Sequence, residues 1–345
     1  MNSRFEVGVA TMALAGLALF ALSAAGNPHA GLQGWLAAAV AWAAVSLGCL
    51  IVTLMRVLVG KGVEGGYGPA LGAASWAVWL VGLAFIPVLL GLAVLFPWAT
   101  VPPEGNFQKL WLQSGFFIGR NVGYFLLWTV IAGLVPASGS RPLAVVGVII
   151  VGVTGSMAAL DWMISLQPHF HSSIYGMLFL SHAALVGWSF AAAATLFSGR
   201  PVAPQIAAGY IIAGVALWAY LSFCQYLVVW NGNQPDEIRW YLLREHHGWG
   251  ALFWAASLLE GVVPLLFLMP GRVRASRAGV AAIALILVLG GMVEMAVFVL
   301  PSFGGDTRSG LSALSAAVGL GGLWLAMFGR RFRKLTATAA ETGHA

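Results

Sequence analysis

Five ionisable residues lie inside stretches that are otherwise almost wholly apolar: Arg120, Asp161, His182, Glu260 and Glu294. A charge in hydrocarbon costs about 3 kcal/mol or more unless it is paired or wet, so each is a candidate for function. Arg120 needs a carboxylate or a ring of carbonyls. Asp161 is within its reach if their two segments are neighbours, which the short connection between them favours. Such a pair either locks two helices together or takes part in proton or quinone chemistry. Glu260 and Glu294 read as packing contacts or as carboxyls that carry a proton where water reaches them. On the second reading Arg120, Asp161 and Glu294 form an outer half-path and Glu260 an inner station. His182, between Ser181 and Ala183, reads as hydrogen-bonded packing or, with Asp161 and Tyr175, as a set of donors and acceptors for a quinone headgroup. Haem b would require a second histidine on a facing helix at matching depth, and the other candidates, His169, His171, His246 and His247, all fall at the outer interface. The His-x-His at 169 and 171 lacks clear further zinc ligands, so no metal site is expected.

The elements that must position these residues follow from composition. Of the 345 residues, 60% are hydrophobic and 8% are Asp, Glu, Lys or Arg. That is too little charge to cover a water-soluble fold of this length, so lipid is the solvent for most of the surface. Runs long enough to span about 30 Å of hydrocarbon occur near 7–25, 31–58, 70–98, 107–136, 142–165, 172–197, 204–230, 242–268, 275–300 and 308–329. Turn residues separate them, among them Gly26-Asn27-Pro28, Gly65-Gly66, Pro102-Pro103, Ser138-Gly139-Ser140, Asn231-Gly232-Asn233 and Gly304-Gly305. The expected fold is an all-α polytopic membrane protein, one integral domain over 1–345 with a cytoplasmic tail at 330–345. Cys49 and Cys224 sit in apolar runs and read as small hydrophobes.

The formal charge of +6 is strung one or two residues per loop, which argues against nucleic acid and for a topology signal. With the N-terminus in the cytoplasm, twelve Lys and Arg fall inside, Lys61 among them, and four, Lys109, Arg239, Arg244 and Arg308, fall outside. Both termini are then cytoplasmic. Arg4 followed by an apolar run and Leu22-Ser23-Ala24-Ala25 also fits a cleaved signal peptide, which would leave nine spans. An independent proton-coupled transporter is a further reading, but such carriers show matched Gly/Pro-interrupted spans, and none is visible here.

Two segments between spans are more specific than linkers. The first runs from Asp161 to Gly176; Pro168 ends one helix and Ser172 or Ser173 is placed to cap the next. The second runs from Asn231 to His247. Pro235, Asp236 and Glu237 form an acidic first helical turn, and the charges suit either an interfacial anchor or a docking surface.

Both segments resemble the second NrfD-type membrane subunit, the F subunit, of alternative complex III, a bacterial quinol:electron-acceptor oxidoreductase. That family carries Asp-Trp-x-x-Ser-Leu-x-Pro-His leading to Ser-x-Ile-Tyr/Phe-Gly, matched from Asp161 to Gly176. It carries Asn-x-Pro-Glu/Asp-Glu-Ile-x-Trp-Tyr-x-x-Arg, matched from Asn233 to Arg244, and Phe-Phe-x-x-Arg-x-x-x-Tyr-Phe, matched from Phe116 to Phe125. Where the family has an aspartate ahead of a Tyr-Trp pair and a later proline, this chain has Glu294, Phe298 and Pro301, and the aromatic pair is absent. The resemblance implies two four-helix bundles plus two further helices in the bacterial inner membrane. It implies a non-catalytic subunit beside a homologous NrfD-like sister, beneath periplasmic iron-sulfur and multihaem cytochrome c subunits that hold the haem and clusters. This chain would bind no cofactor of its own, quinone excepted on the alternative reading, with a possible proton path. His169, His171, Asp236, Glu237, Arg239, Trp240 and Arg244 would face the docked partners.

Overall fold

The computed structural model describes residues 3–60, 66–103, 105–246, 248–304 and 307–341. Lys61 and Gly65 of one expected loop, His247 of the second motif, Gly305 and the last residues of the tail, 342–345, lie outside the described residues. Among those described there is no strand. Ten helices are long and apolar enough to cross a membrane: α1 (Phe5–Gly26), α2 (Pro28–Val59), α3 (Gly68–Leu90), α5 (Ser114–Ser138), α6 (Arg141–Leu166), α7 (Tyr175–Phe197), α8 (Pro204–Gly232), α10 (Trp249–Leu268), α11 (Arg277–Phe303) and α12 (Arg308–Thr338). Short helices lie between spans as well, among them α4 (Asn106–Trp111) and α9 (Pro235–Glu245). The chain is an all-α polytopic membrane protein.

Helices α2, α3, α5 and α6 pack on one another as one four-helix bundle, and α7, α8, α10 and α11 as a second. The first and last spans, α1 and α12, run together against α2. The two bundles meet where α2 crosses α7, and these are the two most buried spans. In lipid no hydrophobic gain drives helices together, so close packing of small residues must do it. A Cβ on Gly48 would stand 1.6 Å from the Ala183 carbonyl oxygen, and one on Gly187 would stand 2.4 Å from the Cys49 nitrogen. The backbones touch there because neither position carries a side chain. The Cys49 thiol completes the crossing by donating to the Gly187 carbonyl at 3.1 Å. Gly16 and Gly319 bring α1 and α12 together in the same way.

Several local expectations change. The span anticipated at 70–98 ends at Leu90, before a turn at Gly91, and continues as the short turns Leu92–Leu95 and Pro97–Thr100, the second break falling where Phe96 is extended and Pro97 withholds a backbone donor. The span anticipated at 107–136 splits between Trp111 and Ser114. The span anticipated at 242–268 splits too. A helix does begin at Pro235, but it stops at Glu245, and the chain turns through Gly248, whose φ of +82° a side chain would strain, before α10 begins. Neither Ser172 nor Ser173 caps α7. The helix starts at Tyr175 with no side-chain cap, and Ser172 donates to Gln225 on α8 instead. The last helix runs on to Glu341, through much of the segment read as a tail.

Candidate functional site

Asp161 sits at the last turn of the helical part of α6 and is fully buried. Its carboxylate is surrounded by donors. Arg120 on α5 supplies two, Nε to Oδ2 at 2.8 Å and Nη2 to Oδ1 at 2.7 Å, the bidentate geometry that suits a guanidinium to a carboxylate. Trp111 Nε1 donates at 3.1 Å, Tyr124 Oη at 3.2 Å and Asn121 Nδ2 at 3.4 Å. The break between α4 and α5 turns Trp111 back over the site, so that its carbonyl accepts from Arg120 Nη1 and its ring lies 4.3 Å beneath the guanidinium. Trp162 donates to Asn121 Oδ1 at 2.7 Å and packs on Phe85 of α3. With these donors on two oxygens, the carboxylate's acceptor sites are filled, and moving a proton onto it would first displace one of them.

The second motif lies beside the first. Trp240 of α9 stacks on Phe170, with centroids 5.1 Å apart and planes at 17°, and meets Tyr175 edge-on at 6.2 Å. Arg244, one turn on, is buried over the Trp240 ring, 3.4 Å from its centroid, and donates to the carbonyls of Trp240 and Phe298 at 2.6 Å each. The Phe298 carbonyl belongs to the last turn of the α-helical part of α11, where such oxygens lack intrahelical donors. Burial pushes the Arg244 guanidinium down to about 9 from its ordinary 12.5, and with two carbonyls as acceptors it stays cationic at neutral pH. Trp240 and Arg244 therefore stand in the interior, not on the surface where docking residues were anticipated. His169, His171, Asp236 and Arg239 are exposed, and Glu237 is half-buried. Between the two motifs lies a cavity of about 670 Å³, walled by Trp111, Leu160, Ile174 and Val228 and edged by His171, Gln225 and Glu237.

The third arrangement was not visible in any one stretch of sequence. His182 on α7 points its Nε2 at two carboxylates, Glu260 Oε2 on α10 at 3.0 Å and Glu294 Oε2 on α11 at 2.7 Å. All three side chains are buried. Glu260 is delivered by Pro264, which lacks the N–H that would bond the carbonyl four residues back. The backbone widens there into a π-turn over Leu258–Val262, and Val263 N bonds the Leu258 carbonyl instead. Four of the six buried residues of α10, Ala256, Glu260, Pro264 and Leu268, recur every fourth position, which in a straight α-helix would drift by roughly 40° each time. The wider turn absorbs part of that drift and keeps Glu260 facing α7 and α11. On α11, Gly290 and Gly291 leave the room: a Cβ on the first would stand 3.0 Å from Glu260 Cγ, and one on the second 3.0 Å from His182 Nε2.

No protein-family model and no curated protein matches the chain.

The anticipated residues thus fall into separate groups. Arg120 and Asp161 come together as the sequence allows. Glu294 does not join them in an outer half-path, and Glu260 is not a separate inner station, because both carboxyls meet at His182. His182, Asp161 and Tyr175 do not form one quinone pocket: Asp161 belongs to the Arg120 cluster, His182 to the Glu260 and Glu294 cluster, and none of the three lines the cavity. Sequence reasoning missed Trp111, Asn121 and Tyr124 as partners of Asp161, and Trp162 as the donor that holds Asn121. Tyr124 carried a usable signal, since the position four after Arg120 shares its side of a helix, and Asn121 carried another as a polar side chain in an apolar span. Gln225 and the two glycines of α11 were missed as well.

Proposed function

We propose that this chain is a membrane subunit of a respiratory quinol:electron-acceptor oxidoreductase, of the NrfD type found second in alternative complex III. One observation carries the reading. The three stretches that resemble that family, 116–125, 161–176 and 233–244, lie on separate spans and loops, yet side chains from all three interlock at one end of the bundle. Arg120 of the first pairs with Asp161 of the second, and Phe170 and Tyr175 of the second pack on Trp240 of the third. An interlocked polar end suits a platform for water-borne redox subunits. The exposed His169, His171, Asp236 and Arg239 then meet a multihaem cytochrome c and an iron-sulfur protein on the periplasmic side, and a homologous membrane subunit lies alongside. The chain sits in the bacterial inner membrane with both termini cytoplasmic, as its Lys and Arg distribution favours. It holds no haem or cluster itself and is non-catalytic; a proton path through it is part of the reading.

Gentle solubilisation from native membranes, followed by identification of the chains that co-migrate, tests this. A multihaem cytochrome, an iron-sulfur protein and quinol-dependent reduction of cytochrome c in the same fraction are expected. A stable, solitary protein without quinol activity in its fraction overturns the proposal and revives the transporter reading.

The cavity beside Trp111 favours a second reading, in which the chain itself binds a quinone headgroup at that end. A photoreactive quinone that labels only the sister subunit would remove it.

A further inference from the structure

The His182, Glu260 and Glu294 cluster is anomalous as a hydrogen-bonded unit. An imidazole Nε2 carries at most one hydrogen, so it can serve one acceptor, yet two carboxylate oxygens face it at 3.0 and 2.7 Å. Nε2 and both of those oxygens are buried without a hydrogen bond of acceptable geometry to any described residue. Charge compounds the problem. Two ionised carboxylates and one imidazole sum to −1 with the ring protonated and −2 with it neutral, and a buried excess of that kind is costly unless a cation or a further proton lies among them. Arg244 is committed to two backbone carbonyls, Trp240 on its own helix α9 and Phe298 on α11.

A divalent cation resolves both difficulties. It accepts a lone pair from each of the three atoms, so none needs a hydrogen, and two carboxylates with a neutral imidazole neutralise it. The three ligand atoms lie within 4.8 Å of one another. Tetrahedral Zn–N and Zn–O bonds of about 2.0–2.2 Å place neighbouring ligand atoms roughly 3.3 Å apart, so His182 Nε2 need draw back from each carboxylate oxygen by only about half an ångström. One nitrogen and two oxygens suit first-row divalent ions such as Zn²⁺, Mn²⁺ or Fe²⁺. They lack the thiolate that Cu⁺ selects and the six or more oxygens that Ca²⁺ takes. We infer that His182 Nε2 and one carboxylate oxygen each of Glu260 and Glu294 form a three-ligand site for a divalent first-row metal ion, which cross-links α7, α10 and α11 inside the second bundle. The inference goes beyond the proposed function and does not depend on it, since metal binding is measured whether or not partners are present.

The full chain, purified in detergent without chelator, is assayed for metal by mass spectrometry and then stripped. Zn²⁺ or Mn²⁺ is titrated back while the thermal midpoint is followed, and Co²⁺ is titrated with its visible absorption as an independent readout. About one equivalent per chain, a rise in midpoint and a low-symmetry Co²⁺ spectrum are expected. Glu260→Gln and His182→Gln should each weaken binding by at least tenfold, whereas the His169→Ala/His171→Ala double variant, which removes the surface histidines, should bind as before. If either core variant fails to fold, the wild-type Co²⁺ spectrum and the surface double variant still decide. Absence of saturable binding to the stripped wild-type chain, or binding abolished by the surface double variant, overturns the proposal and leaves the cluster to protons.

Discussion

Arg120 and Asp161, 41 residues apart, are joined by two parallel hydrogen bonds that span the interface between α5 and α6. The pair sits where the membrane-spanning part of each helix gives way to the polar end, with Trp111 folded over it. Removing one partner strands the other as a buried charge, which costs about 3–5 kcal/mol. Asp161→Asn should therefore lower stability by that order in a detergent unfolding titration. Arg120→Leu/Asp161→Leu, which removes both charges, should lose markedly less than the sum of the single variants. Additive losses would show that the two side chains contribute independently and that the pair is not the lock it resembles.

Arg244 fastens the interfacial helix α9 to the end of α11. Arg244→Met keeps much of the apolar stem over Trp240 but leaves the Phe298 carbonyl without its donor, and an unsatisfied buried carbonyl costs about 1–3 kcal/mol. The expected outcome is faster proteolysis within residues 231–248 and a lower thermal midpoint, with the helical content of the spans preserved. Arg244→Lys should fail to rescue, because an ammonium lacks the planar face that lies on Trp240. Full protection of the segment in both variants would contradict this role.

The contrast between these clusters explains what the sequence discloses. Ten apolar runs are legible because length and hydropathy are properties of each segment alone, and the Arg120 and Asp161 pairing is legible because their helices follow one another through a short loop. The meeting of His182 with Glu260 and Glu294 is not, since it depends on how three spans are rotated. Counting along a helix from Glu245 misleads there: the chain turns at Gly248, and the π-turn at Pro264 resets the register. Ser172 illustrates the same limit on a smaller scale. Its local pattern is that of a cap, but a tertiary acceptor, Gln225, takes its hydroxyl. Arg244 reads from the sequence as a surface charge because nothing in its own helix shows that Phe298 stands opposite.

Tyr67, just before α3, donates its hydroxyl to the Ala203 carbonyl at 3.1 Å, tying the loop after α2 to the start of α8. Burial pushes its phenol up to about 12 from 10.0, partly offset by the nearby Arg277. The folded chain holds this proton more tightly than the unfolded chain. Its contribution is therefore complete below pH 10 and disappears as pH rises through about 12. The stability of the wild type should fall more steeply between those values than that of Tyr67→Phe, measured as thermal midpoint against pH. Parallel curves would mean that Tyr67 does not titrate differently in the two states.

The crossing of α2 and α7 is the joint between the bundles, and it rests on the lack of a side chain at Gly48. A methyl group at that position would fall 1.6 Å from the Ala183 carbonyl oxygen, a backbone atom that cannot rotate away, so the helices must part. Overpacking of this kind costs typically about 1–3 kcal/mol, and separating two backbones along a long interface stands at the upper end of that range. Gly48→Ala should therefore lower the thermal midpoint and the yield of monodisperse protein, and Gly48→Val should do so more severely. Gly123→Ala on α5 is the control, because a Cβ there meets nothing within 4 Å. It should be neutral or slightly stabilising, as alanine restricts the unfolded backbone more than glycine does. A wild-type midpoint in Gly48→Ala would show that the two bundles slide freely past each other at this point. The joint would then have to be sought elsewhere along α2, away from the Cys49 and Gly187 contact.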